Sequence, residues 1–293
     1  YVLFIKIKNV EGDIVAGDLH CHTKMSDGSV SIEEVVMLAK THGISTISVT
    51  DHDTFAGSER AKIFGDRHGV EVIPGIEFST VDSKTERKAH ILCYLCDNSD
   101  RLQGLCKRTS DSRRRAAAYM IKKVMSFYPI TAKMITKRAQ GSTNIYKQHI
   151  MHALIDAGYS NDFFGKTYKK LFDKKTGLAY YPIRYPDVHD VIEQIHDAGG
   201  VAVLAHPAIY DSYDLLSQLA SDHEIEGVEV WHPRNNPGDE QRLSEIARKY
   251  DLVMTGGTDF HGMYTTTTMH IGTCLTPDDQ IEKLKEVKSG MKK

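Results

Sequence analysis

The fold is decided by a short stretch near the start of the sequence, Ile14-Val15-Ala16-Gly17-Asp18-Leu19-His20-Cys21-His22. We predict a β-strand near Ile14 to Leu19. His20 and His22 follow it, and their imidazoles point to the same side because side chains alternate between the faces of an extended chain. The stretch therefore predicts a strand that ends in two side chains able to bind a metal ion.

A helix is predicted after this strand. Ser31 and Glu34 have the spacing of a capping box, which indicates the start of a helix, and Gly43 indicates its end. Between them, apolar side chains recur on one helical face at Ile32, Val35, Val36 and Ala39. The strand and the helix together form one β/α unit.

The β/α unit is repeated along the chain. Further strands are predicted at Ile44 to Thr50, Val70 to Ile73, Ala89 to Leu95, Val201 to Ala205, Val228 to Trp231 and Leu252 to Thr255. Seven strands alternating with helices predict an α/β protein with a parallel sheet. The number of units is near eight, which favours closure into a (β/α) barrel, and an open doubly wound sheet is the alternative.

The segment between the fourth and fifth strands differs in charge from the rest. The 293-residue chain has a formal net charge of -2, yet residues 100–184 contain 18 Lys and Arg against 5 Asp and Glu. Apolar residues at helical spacing predict helices there. We therefore predict a barrel formed by residues 1–99 and 186–293, and a basic helical insertion at 100–185 that acts as a lid or substrate domain.

Two motifs in the insertion have more than one interpretation. Arg113-Arg114-Arg115 is expected on a solvated helical face rather than as a grip on nucleic acid. Tyr180 and Tyr181 lie where the chain re-enters the barrel, and they either stack on a base or pack as a hinge.

The compartment is predicted from cysteines and hydropathy. Five cysteines are an odd number, which favours a reducing compartment over a disulfide framework. No apolar run approaches the roughly 20 residues that cross a bilayer, and no export-signal pattern is recognised. We expect a cytoplasmic protein that does not act on membranes.

Candidate metal ligands are concentrated where the predicted strands end. Of the 15 histidines, seven lie at or just past a strand end or within the fourth strand: His20, His22, His52, His90, His206, His232 and His261. Carboxylates accompany them at Asp27, Asp51, Glu77 and Asp259. Imidazole is the commonest metal ligand, and barrels carry their active sites beyond the carboxyl ends of the strands. The pattern therefore predicts a metal site.

Five ordered motifs carry a resemblance to a known family. They are Asp18-Leu19-His20-x-His22-Thr23-x-x-Ser26-Asp27-Gly28, Thr50-Asp51-His52-Asp53, Pro74-Gly75-Ile76-Glu77, Ala205-His206-Pro207 and Gly257-Thr258-Asp259-Phe260-His261. Over nearly its whole length the sequence resembles the PHP (polymerase and histidinol phosphatase) superfamily of metal-dependent phosphoesterases. The insertion resembles the branch that removes phosphate from nucleoside monophosphates and 3',5'-bisphosphates, some members of which trim short RNA from the 5' end.

The resemblance implies the PHP fold, a distorted seven-stranded barrel, with two or three divalent metal ions. One ion is expected on His20, His22, Glu77 and Asp259. A second is expected on Asp27, His52 and His261, and a third on Glu77, His90 and His206. This mixture of imidazole and carboxylate suits Mn, Zn or Fe. Ions about 3.5–4 Å apart can share a hydroxide that attacks phosphorus in line with the leaving alcohol.

Other polar residues are expected to assist the reaction. Asp51 adjoins a ligand and either orients an imidazole or belongs to a strand-end turn. His232 is expected at the rim, where it protonates the leaving oxygen or contacts phosphate. Arg184, Lys147 and His149 are the candidates for a phosphate clamp.

These features predict a hydrolase of phosphate monoesters, with a nucleoside monophosphate or 3',5'-bisphosphate as substrate. One alternative is a 5'-3' exonuclease on short oligoribonucleotides, to which the basic insertion supplies backbone contacts. Another is a histidinol-phosphate phosphatase. A metal-binding module without activity is the alternative outside enzymes, and the intact ligand set argues against it.

Overall fold

The computed structural model describes residues 14–267 and 269–291, and its centre is one eight-stranded sheet. The strands are β1 (Ile14–Cys21), β2 (Ile44–Val49), β3 (Glu71–Asp82), β4 (Arg87–Tyr94), β5 (Val201–Ala205), β6 (Gly227–Trp231), β7 (Val253–Gly256) and β8 (Thr276–Pro277). Their order in the sheet is β7-β6-β5-β4-β3-β2-β1-β8. Thr276 of β8 also exchanges hydrogen bonds of 2.7 and 2.8 Å with Gly256 of β7, so the two edges of the sheet meet. This nearly closed barrel confirms the predicted architecture.

The helices surround the sheet or lie in the insertion. They are α1 (Ile32–Thr41), α2 (Ser58–His68), α3 (Gln103–Phe127), α4 (Ala132–Arg138), α5 (Lys147–Asp156), α6 (Lys166–Phe172), α7 (Val188–Asp197), α8 (Tyr213–Ser221), α9 (Pro237–Lys249) and α10 (Asp278–Gly290). The predicted capping box starts α1, where the Ser31 hydroxyl accepts from the Glu34 N–H at 3.2 Å. Over the described ranges, no helix combines the length and the apolar character that a bilayer crossing requires.

The sheet departs from seven parallel strands in two respects. β4 runs antiparallel to both β3 and β5, and β8 is an eighth strand of two residues, antiparallel to β1. The turn between Asp82 and Arg87 makes β3 and β4 a hairpin, because a parallel crossover needs about a dozen residues or more. β3 is also longer than predicted, so Glu77 lies inside a strand rather than at its end.

The half of the barrel interior that lies opposite the carboxyl ends of the parallel strands is apolar. Val201 and Val253, the first residues of β5 and β7, belong to a cluster of buried side chains that also contains Leu19, Ile73, Leu92, Tyr94, Val203, Ala205, Ile281 and Leu284. Each large side chain buried here contributes about 1.5–3 kcal/mol. This apolar layer holds the strands together in that half. The polar side chains lie at the other end, where the parallel strands have their carboxyl ends.

The segment between β4 and α7 has an apolar cluster of its own. Its buried members are Ala116, Met120, Val124, Ile130, Ile135, Ile150, Met151, Ala153, Leu154, Leu171, Phe172 and Ala179. The expected domain boundaries near residues 100 and 185 stay a prediction.

Arg113 connects this segment to the barrel, contrary to its expected place on a solvated face. Its side chain is buried, and Nη2 donates to Asp53 Oδ2 at 2.8 Å and to Ser79 Oγ at 2.7 Å. Arg114 and Arg115 are exposed, as expected.

Candidate metal centre

Nine His, Asp and Glu side chains converge at the carboxyl ends of the parallel strands. They are His20, His22 and Asp27 from β1 and the loop after it, His52 after β2, Glu77 in β3, His90 in β4, His206 after β5, and Asp259 and His261 after β7. Isolated backbone bridges join Cys21 to Phe260 and His52 to Glu77. The structure thus brings together every residue that the resemblance implied as a ligand.

Glu77 lies at the centre of the cluster. Its Oε2 is 3.1–3.2 Å from ring nitrogens of His20, His22 and His52. Its Oε1 is 2.7 Å from His90 Nδ1 and 2.9 Å from His206 Nε2. A carboxylate placed among five imidazoles in this way can bridge two cations.

The ligand atoms form three groups, in each of which all atoms lie within 4.8 Å of one another. The first contains His20, His22, Glu77 and Asp259, the set implied for one ion. The second contains Asp27, His52 and His261, as implied, together with His22. The third contains Glu77 and His90 with His52, and His206 adjoins it through Glu77.

Buried polar atoms without hydrogen bonds show that cations fit these groups. His20 Nε2, both ring nitrogens of His22, Glu77 Oε2 and His206 Nδ1 have no hydrogen-bond partner among the residues described. A buried polar atom left unpaired is costly, whereas coordination to a cation satisfies it. Ligands of one ion stand roughly 3–3.5 Å apart when each lies about 2.1 Å from it, which matches the spacing around Glu77 Oε2.

The pKa values of the carboxyl and imidazole groups in the cluster also favour bound cations. Burial opposes ionisation of Asp27, Glu77 and Asp259, but the surrounding imidazoles outweigh it and hold the pKa of each carboxyl well below its usual value. Burial opposes protonation of His22, but Asp259 and Glu77 outweigh it and raise its pKa to about 10. The carboxylates therefore favour added positive charge at this position, and divalent ions would supply it.

Two backbone features allow the ligands to meet. A Cβ atom at Gly257 would lie 2.4 Å from His20 Cβ and 2.5 Å from His20 N, so glycine lets the chain after β7 approach β1 closely. His206 and Asp259 have φ angles of 30° and 48°. Positive φ is uncommon in residues other than glycine and occurs preferentially at functional sites.

Asp51 holds the loop after β1 and does not orient a ligand imidazole. Its Oδ1 accepts from Thr23 N at 2.8 Å and from Ser26 Oγ at 2.5 Å, and its Oδ2 accepts from Thr23 Oγ1 at 2.6 Å. Both oxygens are therefore engaged by the loop that carries Asp27. The geometry favours the structural alternative, a carboxylate at a strand end that fixes a turn.

Glu229 is the carboxylate that orients an imidazole, and the sequence analysis missed it. It is fully buried in β6, where Oε1 accepts from His20 Nδ1 and Oε2 accepts from His206 N, both at 2.9 Å. Holding the proton on Nδ1 leaves Nε2 of His20 free to face Glu77. An acidic residue inside the apolar strand Gly227-Val228-Glu229-Val230-Trp231 was the available signal.

His232 lies at the rim of the cluster, where it was expected. Its Nδ1 accepts from Arg234 N at 3.2 Å, and its Nε2 lies 3.4 Å from Asp259 Oδ2. Because Nδ1 is an acceptor, the neutral ring carries its proton on Nε2, on the side of the cluster.

A cavity of about 380 Å³ lies in front of the cluster. Its wall contains four cationic side chains, Lys88, Arg113, Lys147 and Arg234, beside seven of the nine candidate ligands. An adjoining cavity of about 230 Å³ contains His232 and shares Arg234, Asp259 and His261 with the first. Lys88 could have been recognised from sequence, because it lies two residues before His90 on the same face of β4.

Of the three expected phosphate-clamp residues, Lys147 lies at the cavity and two do not. Arg184 is exposed and forms no part of either cavity wall. His149 is buried at the start of α5, where its Nδ1 accepts from Tyr146 N at 3.1 Å, and burial lowers its pKa to about 4. The side chain of His149 therefore caps a helix, and the geometry favours neither His149 nor Arg184 as a clamp.

Comparison with known proteins shows which family the chain belongs to. The model of the PHP domain matches residues 18–202. Phosphoribosyl 1,2-cyclic phosphate 1,2-diphosphodiesterase from Eggerthella lenta is 37% identical over 257 residues, which cover 87% of this chain and 97% of that protein. The 5'-3' exoribonuclease Rnm from Escherichia coli is 31% identical over 252 residues, with 83% and 84% covered.

A solved structure shares the fold over nearly the whole chain. It is a protein from Bifidobacterium adolescentis assigned to the metal-dependent phosphoesterases, with a TM-score of 0.83 and 30% sequence identity. The match covers 92% of this chain and 94% of that protein. The chain therefore belongs to the PHP family of metal-dependent phosphoesterases.

Proposed function

We propose that the protein hydrolyses phosphate esters of nucleotides or closely related phosphorylated pentoses, and that its preferred substrate carries a second phosphate, as a nucleoside 3',5'-bisphosphate does. The observation that carries this proposal is the set of four cationic side chains in the cavity wall. Metal ions on the nine ligands would neutralise the reacting phosphate. Arg113 is already paired with Asp53, so Lys88, Lys147 and Arg234 supply the additional positive charge. This charge favours a second anionic group on the same substrate.

The nine ligands would hold two or three ions of Mn, Zn or Fe. Such ions supply charge neutralisation at the ester and a nucleophile that is deprotonated near neutral pH. Glu77 Oε1 accepts from His90 Nδ1 and His206 Nε2, and Glu229 fixes the tautomer of His20. His232 presents its Nε2 proton at the rim, where it can reach the leaving oxygen.

Arg113 is oriented before substrate arrives. Its Nε and Nη2 both donate to Asp53 Oδ2, at 3.2 and 2.8 Å. The rings of Tyr146 and Tyr185 lie 5.0 and 5.4 Å from the guanidinium carbon. Because these contacts restrict the side chain, less conformational entropy is lost when an anion binds beside it.

Lys147 adds a cation whose charge an anionic substrate would stabilise. Aromatic rings surround its ammonium at 5.6–5.8 Å, those of Tyr168, Phe172 and Tyr180. Burial, together with Lys88 and Arg113, lowers its pKa to about 8. A bound phosphate relieves the repulsion among these cations, which favours anions at this wall.

The relatives support a ribose phosphate as the reacting group. One acts on a phosphoribosyl cyclic phosphate and another on RNA, according to their names. We propose further that residues 100–185 form a lid, since Arg113, Tyr146 and Lys147 reach the cavity from that segment.

Phosphate release from a set of esters tests the proposal. Protein freed of metal by chelation is reloaded separately with Mn, Zn or Fe, and is assayed on adenosine 3',5'-bisphosphate, AMP, ribose 5-phosphate and histidinol phosphate. We expect kcat/KM to be highest for the bisphosphate, by at least about tenfold over AMP, since one charge-assisted hydrogen bond contributes about 1.5–3 kcal/mol. Lys88→Ala should reduce this preference, and Lys84→Ala, in the exposed turn of the same hairpin, should not.

Two outcomes would contradict the proposal. A preference for histidinol phosphate would indicate that the protein is a histidinol-phosphate phosphatase instead. Tight metal uptake without turnover of any ester would indicate a binding module.

A further inference from the structure

Two cysteine thiols meet at the turn that follows β4. Cys93 lies in β4 and is fully buried, and Cys96 follows three residues later and is half-buried. In a straight strand this spacing would put the two side chains on opposite faces. Here the strand ends at Tyr94, and Leu95 has a φ of 53°, in the left-handed region. The chain therefore turns at Leu95, which brings Cys96 beside Cys93.

Both sulfur atoms lie against the same turn between α7 and β5. Cys96 Sγ donates to Ala198 O at 3.4 Å. A Cβ atom at Gly200 would lie 2.6 Å from Cys93 Sγ, so glycine at this position makes room for that sulfur. The Cys93 thiol also donates a hydrogen bond to Cys96. The two thiols are therefore neighbours, and Cys96 is the one that solvent can reach.

The surroundings make Cys96 the reactive thiol of the pair. The hydrogen bond from Cys93 lowers the pKa of Cys96 to about 7, although burial opposes this. The N–H of Asn98 and the ammonium of Lys288 act in the same direction as the hydrogen bond. The same hydrogen bond, together with burial, raises the pKa of Cys93 well above its usual value. Because the thiolate is the nucleophile in thiol chemistry, Cys96 is the thiol that attacks near neutral pH.

We propose that Cys93 and Cys96 form a thiol–disulfide site that is oxidised reversibly by low-molecular-weight disulfides such as glutathione disulfide. The Cys96 thiolate attacks one sulfur of the small disulfide and expels the other half as a thiolate. The Cys93 thiol then loses its proton to solvent and attacks Cys96 Sγ of the mixed disulfide, which expels the second half. Two protein thiols are thereby oxidised to one disulfide, and one small disulfide is reduced to two thiols, which take up the two protons released.

The surrounding contacts allow this disulfide to form in the folded protein. Oxidation removes the hydrogen bond from Cys96 to Ala198 O, but that oxygen still accepts from Asn98 N at 3.1 Å. Lys288 donates to Gly199 O in the same turn. The turn thus keeps its other contacts when the thiols are oxidised. Neither thiol lines either of the two cavities described above, so the inference does not depend on the proposed function.

Peptide mapping by mass spectrometry tests the site. Reduced protein is incubated under argon with glutathione disulfide near neutral pH, remaining thiols are blocked with N-ethylmaleimide, and the chain is digested with trypsin. Cleavage after Lys88 and Arg101 yields the peptide 89–101, which contains both cysteines and no other. We expect this peptide to lose the mass of two hydrogen atoms and to take up no maleimide. Dithiothreitol should restore both thiols.

Cys274 is the matched control. It is half-buried like Cys96, but burial raises its pKa to about 12. With limiting iodoacetamide near neutral pH, we expect Cys96 to be alkylated at least about tenfold faster than Cys274, because the thiolate is the species that reacts. Equal alkylation rates at the two cysteines would overturn the assignment of Cys96 as the attacking thiol.

The variant Cys93→Ala separates the two steps of the reaction. Without the second thiol, the mixed disulfide on Cys96 cannot be resolved, so peptide 89–101 should carry one glutathione. This adduct should form more slowly than the wild-type disulfide, because the hydrogen bond from Cys93 is lost. The wild-type map decides the question even if this variant does not fold. A wild-type peptide that keeps both thiols, or that carries a stable glutathione adduct instead of an internal disulfide, would refute the inference.

Discussion

Replacing Glu229 with Gln should weaken metal binding although Glu229 is not a candidate ligand. The carboxylate accepts two hydrogen bonds of 2.9 Å, one from His20 Nδ1 and one from His206 N, in a fully buried position. A glutamine offers one oxygen and one NH2 group in the same space. One of the two donors therefore loses its acceptor and faces another donor.

The size of the effect follows from these contacts. An unsatisfied buried donor costs about 1–3 kcal/mol. Since about 1.4 kcal/mol corresponds to a factor of ten, the metal affinity of Glu229→Gln should be lower by roughly 5- to 150-fold. Replacement of carboxylates that support metal-binding histidines lowers affinity or activity by about 10–100-fold, which agrees with this range.

Competition with a chromophoric chelator measures the change for Zn and Mn. Glu224→Gln is the matched control, because Glu224 contacts His189 Nδ1 at 2.7 Å outside the cluster. We expect the control to bind metal like the wild type. Metal affinity of Glu229→Gln within twofold of wild type, in protein with an unchanged unfolding curve, would refute the role given to Glu229.

Three further predictions concern the cationic side chains that line the cavity in front of the cluster. Arg113→Ala removes the cation that pairs with buried Asp53 and leaves Oδ2 without its donor, while Oδ1 still accepts from Ser79 N. It should therefore lower the free energy of unfolding in urea by about 3–5 kcal/mol, whereas exposed Arg114→Ala should change it by less than about 0.5 kcal/mol. The pKa of Lys147, lowered to about 8, means that its charge is present below that pH and lost above it. KM for an anionic substrate should therefore rise above about pH 8, and Lys147→Arg should move this rise to higher pH in a KM–pH profile. Lys88→Ala should raise KM for the bisphosphate about tenfold or more in steady-state kinetics, whereas Arg184→Ala should leave it within twofold.

The local elements of the fold were predictable from the sequence, and strand direction was not. Helix α1 follows from the capping residues and from one apolar face, both of which are local features. The predicted third and fourth strands left residues 74–88 between them, which is long enough for a parallel crossover, so the antiparallel direction of β4 was not evident. Pro74 and Gly75 indicated the end of β3, yet the strand continues there. Glycine is needed because a Cβ at position 75 would lie 2.4 Å from Ser48 Oγ.

Eight of the nine candidate ligands belong to the five ordered motifs, and His90 lies within the predicted fourth strand. The cationic side chains of the cavity wall, in contrast, come together only through tertiary packing. In the run Arg113-Arg114-Arg115, one side chain faces the barrel and two face solvent. The rotation of α3 about its axis relative to β3 decides which of the three arginines faces the barrel. The sequence of the helix alone does not specify that rotation. His149, expected at phosphate, instead accepts from the Tyr146 N–H three residues before it, which is a local cap at the start of α5.

The central claim is that nine side chains from six strands and their loops hold a cluster of cations. Anomalous diffraction from crystals of the protein, recorded at the Mn, Fe and Zn edges after loading with each metal, tests it most directly. We predict two or three peaks, each within about 2.0–2.3 Å of donor atoms from these residues, with Glu77 shared between peaks. An absence of peaks among the nine side chains, or peaks only at other residues, would contradict the claim.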